Sequence, residues 1–454
     1  MKVLLVSPNI ESLPDPVFPI GAAYISAALK REGVDCRILD LCFVEDYETA
    51  IRDELEAFQP DLTGLSLRNL DNVSYPNYIS YLPFYLKVVD TIRQYSRAPV
   101  LLGGSALSLS PEEILKYLGA DIGITGEGEL SFVGLIQRFR EAGGLAARVK
   151  PRIIGPTVIE DLDRLPVPDR SAFDNEGYLK WGGMGNIQTK RGCPFRCIYC
   201  TYPIIEGKKM RLRSPSLVCD EMEGLVAQGI DSLFIVDNAF NYPPEHAEAI
   251  CREMIRRKIP IRWSCYVNPG FVTPGLIDLM RDAGCTGVEF GSDAAQPGML
   301  AGLGKNFTVE DLRRASIICR EAGMPFCHSL LLGGPGETLE TVRETLESVL
   351  EMSPTAVICM VGIRVFPGTR LYLQGVKEGV LNAEEDYLRP VFYLSPDVEQ
   401  EILPFLKAFS QEHPTWIFPG LNINMNENLQ QKLRRFGIKG PLWEQMARAR
   451  RISC

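Results

Sequence analysis

The chain has 454 residues, about three domains at ~150 residues each, so it can bury several cores. Apolar residues make up 46% and charged residues 23%, a composition typical of globular proteins that excludes fibrous and disordered chains. The 48 basic and 57 acidic residues give a net charge of −9, opposite to the charge that binds a phosphate backbone, so we expect no nucleic-acid partner.

The sequence gives no sign of a membrane or export signal. Its apolar runs fall far below the ~18 residues that span a bilayer, and Ser7 and Pro8 interrupt the first run too early for a signal peptide. We therefore expect a cytoplasmic protein without a transmembrane segment. The 13 cysteines are an odd number on a long chain, which favours metal ligands or buried thiols over a disulfide framework.

Residues 1–141 alternate short apolar runs with amphipathic stretches. Strands are predicted at 3–6, 37–41, 62–67, 100–102 and 122–125, and helices at 20–32, 47–58, 84–95, 111–118 and 129–141. Strands this apolar need cover on both faces, so the order predicts an α/β domain with a parallel, flavodoxin-like (Rossmann-type) sheet. Such folds bind ligands beyond the carboxyl ends of the strands, where this sequence has Gly103-Gly104 and Gly126-Glu127-Gly128.

The rest of the chain divides into three predicted parts. Residues 142–182 are predicted as a connector, because prolines lie there among acidic and small residues. In 183–378, six strands at 187–189, 232–236, 261–267, 287–290, 325–332 and 356–366 alternate with helices. These units predict a partial (β/α)6 barrel of TIM type with its site at the carboxyl-terminal mouth. Residues 379–454 are predicted as a mixed C-terminal extension that caps the barrel or binds substrate.

Three cysteines follow the first barrel strand within eight residues, as Cys193, Cys197 and Cys200. Spacings of four and three place their thiolates on one tight loop, where they can converge on a soft metal centre. A structural zinc site uses four ligands, and the nearest later cysteine, Cys219, lies in a predicted helix. Chance clustering and a zinc site with a distant fourth ligand stay open as alternatives.

This Cys-x3-Cys-x2-Cys loop after a first barrel strand resembles the radical S-adenosylmethionine (SAM) superfamily. The resemblance implies a 4Fe-4S cluster on Cys193, Cys197 and Cys200, SAM chelated to the fourth iron, and reductive cleavage of SAM to a 5'-deoxyadenosyl radical. It also implies a cellular reductant such as flavodoxin or ferredoxin.

Later strand ends are similar to the same family, with Phe290 where relatives usually have Ser. The SAM-binding residues that the resemblance implies are Phe195, Tyr199, Asp237, Asn238, Glu289, Gly291, Asp293, Gly334 and Arg364. Loop packing for Tyr199, a helix cap for Asp237 and a surface ion pair for Arg364 are the alternatives.

The order of flavodoxin-like domain, connector and barrel is similar to that of cobalamin-binding radical SAM enzymes. The residues implied to bind cobalamin are Pro19, Gly21, Ser66, Leu67, Gly103, Gly104, Gly126, Glu127 and Gly128. A flavodoxin-like domain that binds no cobalamin would need glycines at the same turns. The first histidine is His246, so a bound cobalamin would be base-off without a histidine ligand from the N-terminal domain.

Together these resemblances imply a cobalamin-dependent methyltransferase acting on an unactivated carbon of a metabolite, lipid or peptide. One SAM supplies the methyl group through cobalamin, and a second SAM supplies the radical that removes a substrate hydrogen. A radical SAM cyclase, oxidase or rearrangement enzyme without methyl transfer is the first alternative. A non-catalytic cobalamin- or zinc-binding protein is the second.

Overall fold

The computed structural model describes residues 1–12, 14–143 and 152–445. Residues 144–151 of the predicted connector and 446–454 of the predicted extension lie outside the described part. The chain forms two compact units. The first unit comprises Met1–Asn72, Ile79–Tyr178 and Thr201–Arg211, and the second comprises Val73–Tyr78, Leu179–Cys200 and the chain from Leu212.

A parallel sheet covered by helices makes up the first unit. Its strands are β1 (Lys2–Ser7), β2 (Asp35–Asp40), β3 (Leu62–Ser66), β4 (Val100–Gly103), β5 (Ile122–Gly126) and β6 (Arg152–Thr157). Its helices are α1 (Ile20–Arg31), α2 (Tyr47–Phe58), α3 (Leu82–Tyr95), α4 (Pro111–Leu118), α5 (Gly128–Glu141) and the short α6 (Asn175–Gly177) and α7 (Tyr202–Ile205). The strand order β2-β1-β3-β4-β5-β6 contains the flavodoxin order, as predicted.

Apolar strands explain why this sheet lies between helices. Val3, Val6 and Leu62 are fully buried, and Leu135 and Ile136 of α5 pack in one core with Val3 and Leu62. A sheet with no polar face cannot expose either side to water, so each crossover helix covers a face.

β6 lies in the stretch predicted as a connector, and that prediction is wrong at 152–157. It pairs in parallel with β5, beginning at Ile122 and Arg152. It is an edge strand with no fully buried residue, and it contains Pro156, which an edge strand tolerates. A half-exposed strand lacks the apolar run on which the prediction relied.

The second unit contains the predicted series of βα units. Its strands are β7 (Gly185–Ile187), β8 (Lys190–Arg191), β9 (Arg211–Leu212, whose first residue belongs to the first unit), β10 (Ser232–Ile235), β11 (Arg262–Val267), β12 (Cys285–Asp293), β13 (Phe326–Leu332), β14 (Ala356–Val361), β15 (Ile363–Arg364), β16 (Phe392–Tyr393) and β17 (Trp416–Ile417). Its helices are α8 (Pro215–Ala227), α9 (Pro244–Arg257), α10 (Pro274–Asp282), α11 (Pro297–Gly302), α12 (Val309–Glu321), α13 (Leu339–Met352), α14 (Arg370–Glu378), α15 (Ile402–Glu412) and α16 (Glu427–Arg435).

Seven strands form the main sheet of this unit, in the order β17-β14-β13-β12-β11-β10-β7, and all its neighbours pair in parallel. β7 and β17 stand at the two edges, so the sheet is the open, partial barrel that the sequence predicts. β17 comes from the predicted C-terminal extension and has only two residues, too few for a periodic signal. Among the helices described, none has the length and apolar character needed to cross a bilayer.

The sixth barrel strand is shorter than predicted. β14 ends at Val361 because Gly362 takes a left-handed conformation, with φ +70°. The next two residues form β15, which pairs antiparallel with β16. Arg364 therefore lies on a separate ribbon and not at the end of a barrel strand, which corrects the predicted strand at 356–366.

The C-terminal segment packs at the first residues of the barrel strands. Trp443 is buried in a small core with Cys327 and Ala356. A Cβ on Gly287 would lie 2.9 Å from the Trp443 ring, so the absence of a side chain there makes room for the indole. This indole therefore closes the amino-terminal end of the barrel.

Candidate functional site

The loop between β8 and α7 carries the three cysteines, and the second unit fixes its shape. The Ile198 N–H donates to the Leu303 carbonyl at 3.0 Å, and the Ile198 carbonyl accepts from the Leu371 N–H at 2.9 Å. Gly304 has φ +72°, and a Cβ there would lie 2.5 Å from the Arg196 carbonyl oxygen. Only glycine permits so close a backbone approach.

The donor chemistry of this loop fits an iron–sulfur cluster. Cys193 is buried, Cys197 and Cys200 are half-buried, and none of the cysteines that the structure describes forms a disulfide. Within 1–12, 14–143 and 152–445, no three His, Cys, Asp or Glu side chains converge on a position for one metal ion. In a 4Fe-4S cluster each thiolate binds a different iron, so its ligands are spaced more widely than those of one ion.

A buried polar network adjoins the cysteine loop. The Tyr199 hydroxyl donates to Asp293 Oδ2, and Lys305 Nζ donates to the same oxygen at 2.6 Å. Burial opposes the Lys305 charge, but Asp293 and Cys197 outweigh it and raise the pKa of Lys305. Lys305 is thus a cation beside the thiols. Sequence reasoning found Tyr199 and Asp293 but missed Lys305, which carries no motif signal.

Asp237 braces the strand that leads into the cysteine loop. Its Oδ1 accepts from the Thr189 N–H at 2.7 Å and from the Lys190 N–H at 3.3 Å, and its Oδ2 accepts from the Thr189 hydroxyl. It is therefore not a helix cap, since α9 begins after Pro243. Asn238 Nδ2 donates to the Gly192 carbonyl at 3.3 Å, directly before Cys193.

Glu289 and Gly291 lie in alternate positions of β12, so their Cα substituents face the same side of the sheet. Glu289 Oε1 accepts from Trp443 Nε1 at 2.7 Å, and burial raises the Glu289 pKa to about 7 although that bond lowers it. A Cβ on Gly291 would meet no atom within 4 Å, so there is room for a ligand at this position. Ser264 Oγ on β11 is buried and has no hydrogen-bond partner among the described residues. The open space at Gly291 leaves room for a polar ligand such as SAM, whereas Ser264 is in register with Gly287, beside the Trp443 ring.

Three other residues implied to bind SAM have structural contacts. The Gly334 N–H donates to Glu337 Oε2 at 2.9 Å, which closes the turn after β13. The Arg364 guanidinium donates to the carbonyls of Val365, Tyr387 and Val391, at 2.6, 3.1 and 3.4 Å. The Phe195 ring lies 5.1 Å from that of Tyr242 and 6.2 Å from that of Phe271. Their contacts with SAM stay predictions.

In the first unit, neighbouring strands explain two of the predicted glycines. Gly104 has φ +94°, and a Cβ there would clash with the Leu67 carbonyl. Gly126 has φ +72°, and a Cβ there would lie 2.6 Å from the Thr157 carbonyl oxygen. Gly21 differs, because a Cβ there would meet nothing within 4 Å.

The other residues implied to bind cobalamin lie at the carboxyl ends of the strands of the first sheet. Pro19 precedes α1, Ser66 ends β3, Gly103 ends β4 and Gly128 begins α5. Glu127 is different, since its buried carboxylate forms an ion pair with Arg211 at 2.6 Å. A direct contact between the Glu127 side chain and cobalamin therefore stays a prediction. The ion pair with Arg211 argues against it.

Two polar groups of the first unit fit a ligand rich in hydrogen-bonding groups. Asn9 follows β1 at the carboxyl edge of the sheet, and Tyr81 precedes α3. Asn9 Nδ2 and the Tyr81 hydroxyl are buried and have no hydrogen-bond partner among the residues that the structure describes. A buried polar group without a partner is costly, so a bound ligand would satisfy it. The amide side chains of cobalamin offer such partners.

Both units match known protein families. Residues 187–349 match the Radical SAM superfamily, and residues 6–136 match the B12 binding domain. These matches and the cysteine loop define a radical SAM enzyme with a cobalamin-binding domain. The two matched domains confirm the resemblance to cobalamin-binding radical SAM enzymes, and they imply a 4Fe-4S cluster, SAM and cobalamin as cofactors.

Similarity to two relatives extends beyond single domains. The chain is 28% identical over 438 residues to tryptophan 2-C-methyltransferase of Streptomyces laurentii, covering 80% of this chain and 73% of that protein. It is 26% identical to the uncharacterized methyltransferase PH0819 of Pyrococcus horikoshii, covering 84% of each.

A solved structure is similar over the whole chain. TsrM from Kitasatospora setae, a radical SAM methyltransferase with tryptophan substrate and a SAM analog bound, has a TM-score of 0.86 and 27% identity, covering 100% of this chain and 98% of TsrM. With cobalamin and a [4Fe-4S] cluster bound, TsrM has a TM-score of 0.84.

Proposed function

We propose that this chain is a cobalamin-dependent radical SAM methyltransferase that acts on a carbon atom of a small molecule. The observation that carries the proposal is the similarity to TsrM, a methyltransferase, over all of this chain and 98% of TsrM. The cysteine loop and the unsatisfied polar groups at the first sheet support the same cofactor set. When bound, the cluster supplies the electron that cleaves SAM, and cobalamin carries the methyl group.

The residues of the second unit hold and orient reactants. Cys193, Cys197 and Cys200 would bind three irons and leave the fourth for SAM. Ile198, fixed through both its backbone groups, keeps the loop in one shape. Lys305 brings a positive charge to the loop, which favours a cluster that carries thiolate charge.

In the first unit, cobalamin would bind at the carboxyl edge of the sheet, close to Asn9. We further propose the base-off form, because residues 1–245 contain no histidine to bind cobalt. The radical step needs an electron from a low-potential donor such as flavodoxin or ferredoxin. This requirement favours the reducing cytoplasm as the place of the reaction.

The identity of the substrate rests on the relatives. Tryptophan is the substrate of TsrM and of the Streptomyces laurentii enzyme, so it is the first compound to test. The test uses protein purified without oxygen, reduced with dithionite and supplied with cobalamin, tryptophan and SAM carrying a deuterated methyl group. We expect S-adenosylhomocysteine and a product heavier by one labelled methyl group.

Other outcomes separate the alternatives. Formation of 5'-deoxyadenosine with an unlabelled product would favour a cyclase, oxidase or rearrangement enzyme. One zinc per chain with no consumption of SAM would favour a binding protein. Labelled methyl transfer to another small molecule but not to tryptophan would keep the reaction and replace the substrate.

A further inference from the structure

A buried ion pair ends the segment that follows the third cysteine. Thr201–Arg211 continues directly from Cys200 and belongs to the first compact unit. Arg211, its last residue, donates from Nη1 to Glu127 Oε2 at 2.7 Å, and its Nη2 lies 2.6 Å from Glu127 Oε1. The two side chains are only 2% and 5% exposed. The pair therefore combines one charge-assisted hydrogen bond with a second close approach of opposite charges.

The pair joins three pieces of the first unit. Arg211 Nη1 also donates to the Ile159 carbonyl at 2.6 Å, and Nη2 donates to the Glu206 carbonyl at 2.5 Å. Glu127 Oε2 accepts from the Ile159 N–H at 2.6 Å. The turn between β5 and α5, the chain after β6 and the segment after the cysteines are thus fixed to one another.

Glu127 lies where the first unit is expected to bind its ligand. Glu127 follows β5 at the edge of the sheet where a fold of this type binds its ligand, and the first unit matches the B12 binding domain. A buried ion pair adds little stability compared with apolar residues of similar volume, because desolvation offsets the attraction. What such a pair provides here is a fixed position for the end of the segment.

We propose that Glu127 and Arg211 are positioning residues that couple the cobalamin-binding edge to the loop that bears Cys200. Cobalamin bound at the edge holds the β5–α5 turn, the ion pair holds the segment Thr201–Arg211, and the segment limits the movement of Cys200. The inference rests on the cofactors of the proposed function but not on methyl transfer. Because coupling is reciprocal, the cluster in turn favours cobalamin binding.

The test measures the rate at which an iron chelator removes iron from the reconstituted full-length protein. Each variant is first titrated with hydroxocobalamin, so that rates are compared without cobalamin and at saturation. In the wild type we expect cobalamin to slow iron removal several-fold. In Glu127→Gln we expect the two rates to become equal, since Arg211 loses its charged partner.

A second buried pair provides the matched control. Arg213 and Glu221 are 2.8 Å apart and 7% and 1% exposed, and both belong to the second unit. Glu221→Gln therefore breaks a pair of similar burial only two residues further along the chain from Arg211. We expect this variant to keep the wild-type protection by cobalamin, although its melting temperature falls.

A double variant covers the case in which Glu127→Gln does not fold. Glu127→Leu with Arg211→Met removes both charges and leaves no uncompensated ion. We expect it to fold, to bind iron and to show no protection by cobalamin. Protection of wild-type size in the double variant, or no protection in the wild type itself, would overturn the proposal. Neither outcome depends on methyl transfer, so failure of the proposed function is detected separately.

Discussion

The two units differ in whether the fold itself explains the residues at their candidate ligand-binding sites, which lie at the carboxyl ends of the strands. In the first unit, Gly104 and Gly126 are explained by the neighbouring strand ends, with no ligand needed. In the second unit, no packing requirement explains three thiols on one loop that is fixed at Ile198. A motif points strongly to a cofactor only when the fold has no other use for its residues. The cysteine motif passes this criterion and the glycine turns do not.

The largest expected effect is the loss of the cluster from the cysteine loop of the second unit, with the first unit left intact. Cys197→Ala should remove the cluster and reduce SAM cleavage to background, because two thiolates do not hold a cubane firmly. Iron and sulfide analysis and the yield of 5'-deoxyadenosine measure this, and cobalamin binding should remain. The matched control is Cys219→Ala, a fully buried cysteine of α8, which should lose some stability but keep its iron. Equal iron loss in both variants would contradict the assignment.

The second prediction tests whether the fold of the first unit requires glycine at the turn that contains Gly104. Gly104→Ala should destabilise the first unit by about 1–3 kcal/mol from the left-handed backbone alone, and the clash with the Leu67 carbonyl adds to this. Gly21→Ala is the control, because its Cβ enters open space at the start of α1. Thermal unfolding separates the two variants. A Gly104→Ala protein as stable as Gly21→Ala would show that the turn adapts.

These two edges also show what the sequence could reveal. Long apolar strands such as β1 and β13 are predictable, because buried parallel strands repeat an unmistakable pattern. β6 and β17 are not, since one is a half-exposed edge and the other has two residues. The thiols are predictable because their ligands lie close together in the sequence.

Contacts between distant residues are the part that the sequence could not reveal. Lys305 lies beside Cys197, more than a hundred residues earlier in the chain, Trp443 reaches Glu289, and Arg211 reaches Glu127. Single side chains that meet through the fold leave no periodic or local signal. Glu127 is the clearest case, since its position predicts a cobalamin contact while its carboxylate is bound by arginine.

Lys305→Met tests the role of charge at the cysteine loop, because it removes the cation beside the thiols without removing a cluster ligand. The buried Asp293 carboxylate would lose its cation, and a reduced cluster would lose a stabilising charge. We expect a more negative cluster potential, so that a given reductant reduces less of the cluster, and therefore about a tenfold slower formation of 5'-deoxyadenosine, equal to about 1.4 kcal/mol. Potentiometric titration with paramagnetic resonance measures the first and single-turnover kinetics the second. Lys305→Arg should restore much of both, and an unchanged potential in Lys305→Met would refute an electrostatic role.

The last effect concerns Glu289 inside the barrel of the second unit and tests whether its carboxyl serves the fold or a ligand. Its pKa of about 7 lies above its ordinary value near 4.5, so the folded state holds the proton more tightly than the unfolded state. The stability contributed by this group is therefore fully present below pH 4.5 and declines as the pH rises toward 7. Glu289→Gln should flatten this decline, as measured by unfolding of the protein at pH 5 and pH 8.

Trp443→Phe should have the opposite effect, because it removes the N–H that donates to the Glu289 carboxylate. The pKa of Glu289 would rise further, and stability at pH 8 would fall by about 1.5–3 kcal/mol, less any relief from protonation of the carboxyl. In a Glu289→Gln background the same change should cost little more at pH 8 than at pH 5. If Trp443→Phe lowers stability equally at both pH values, the indole contributes through packing at the end of the barrel and not through the carboxylate. Such a result would leave Glu289 available for a ligand, as the sequence predicts.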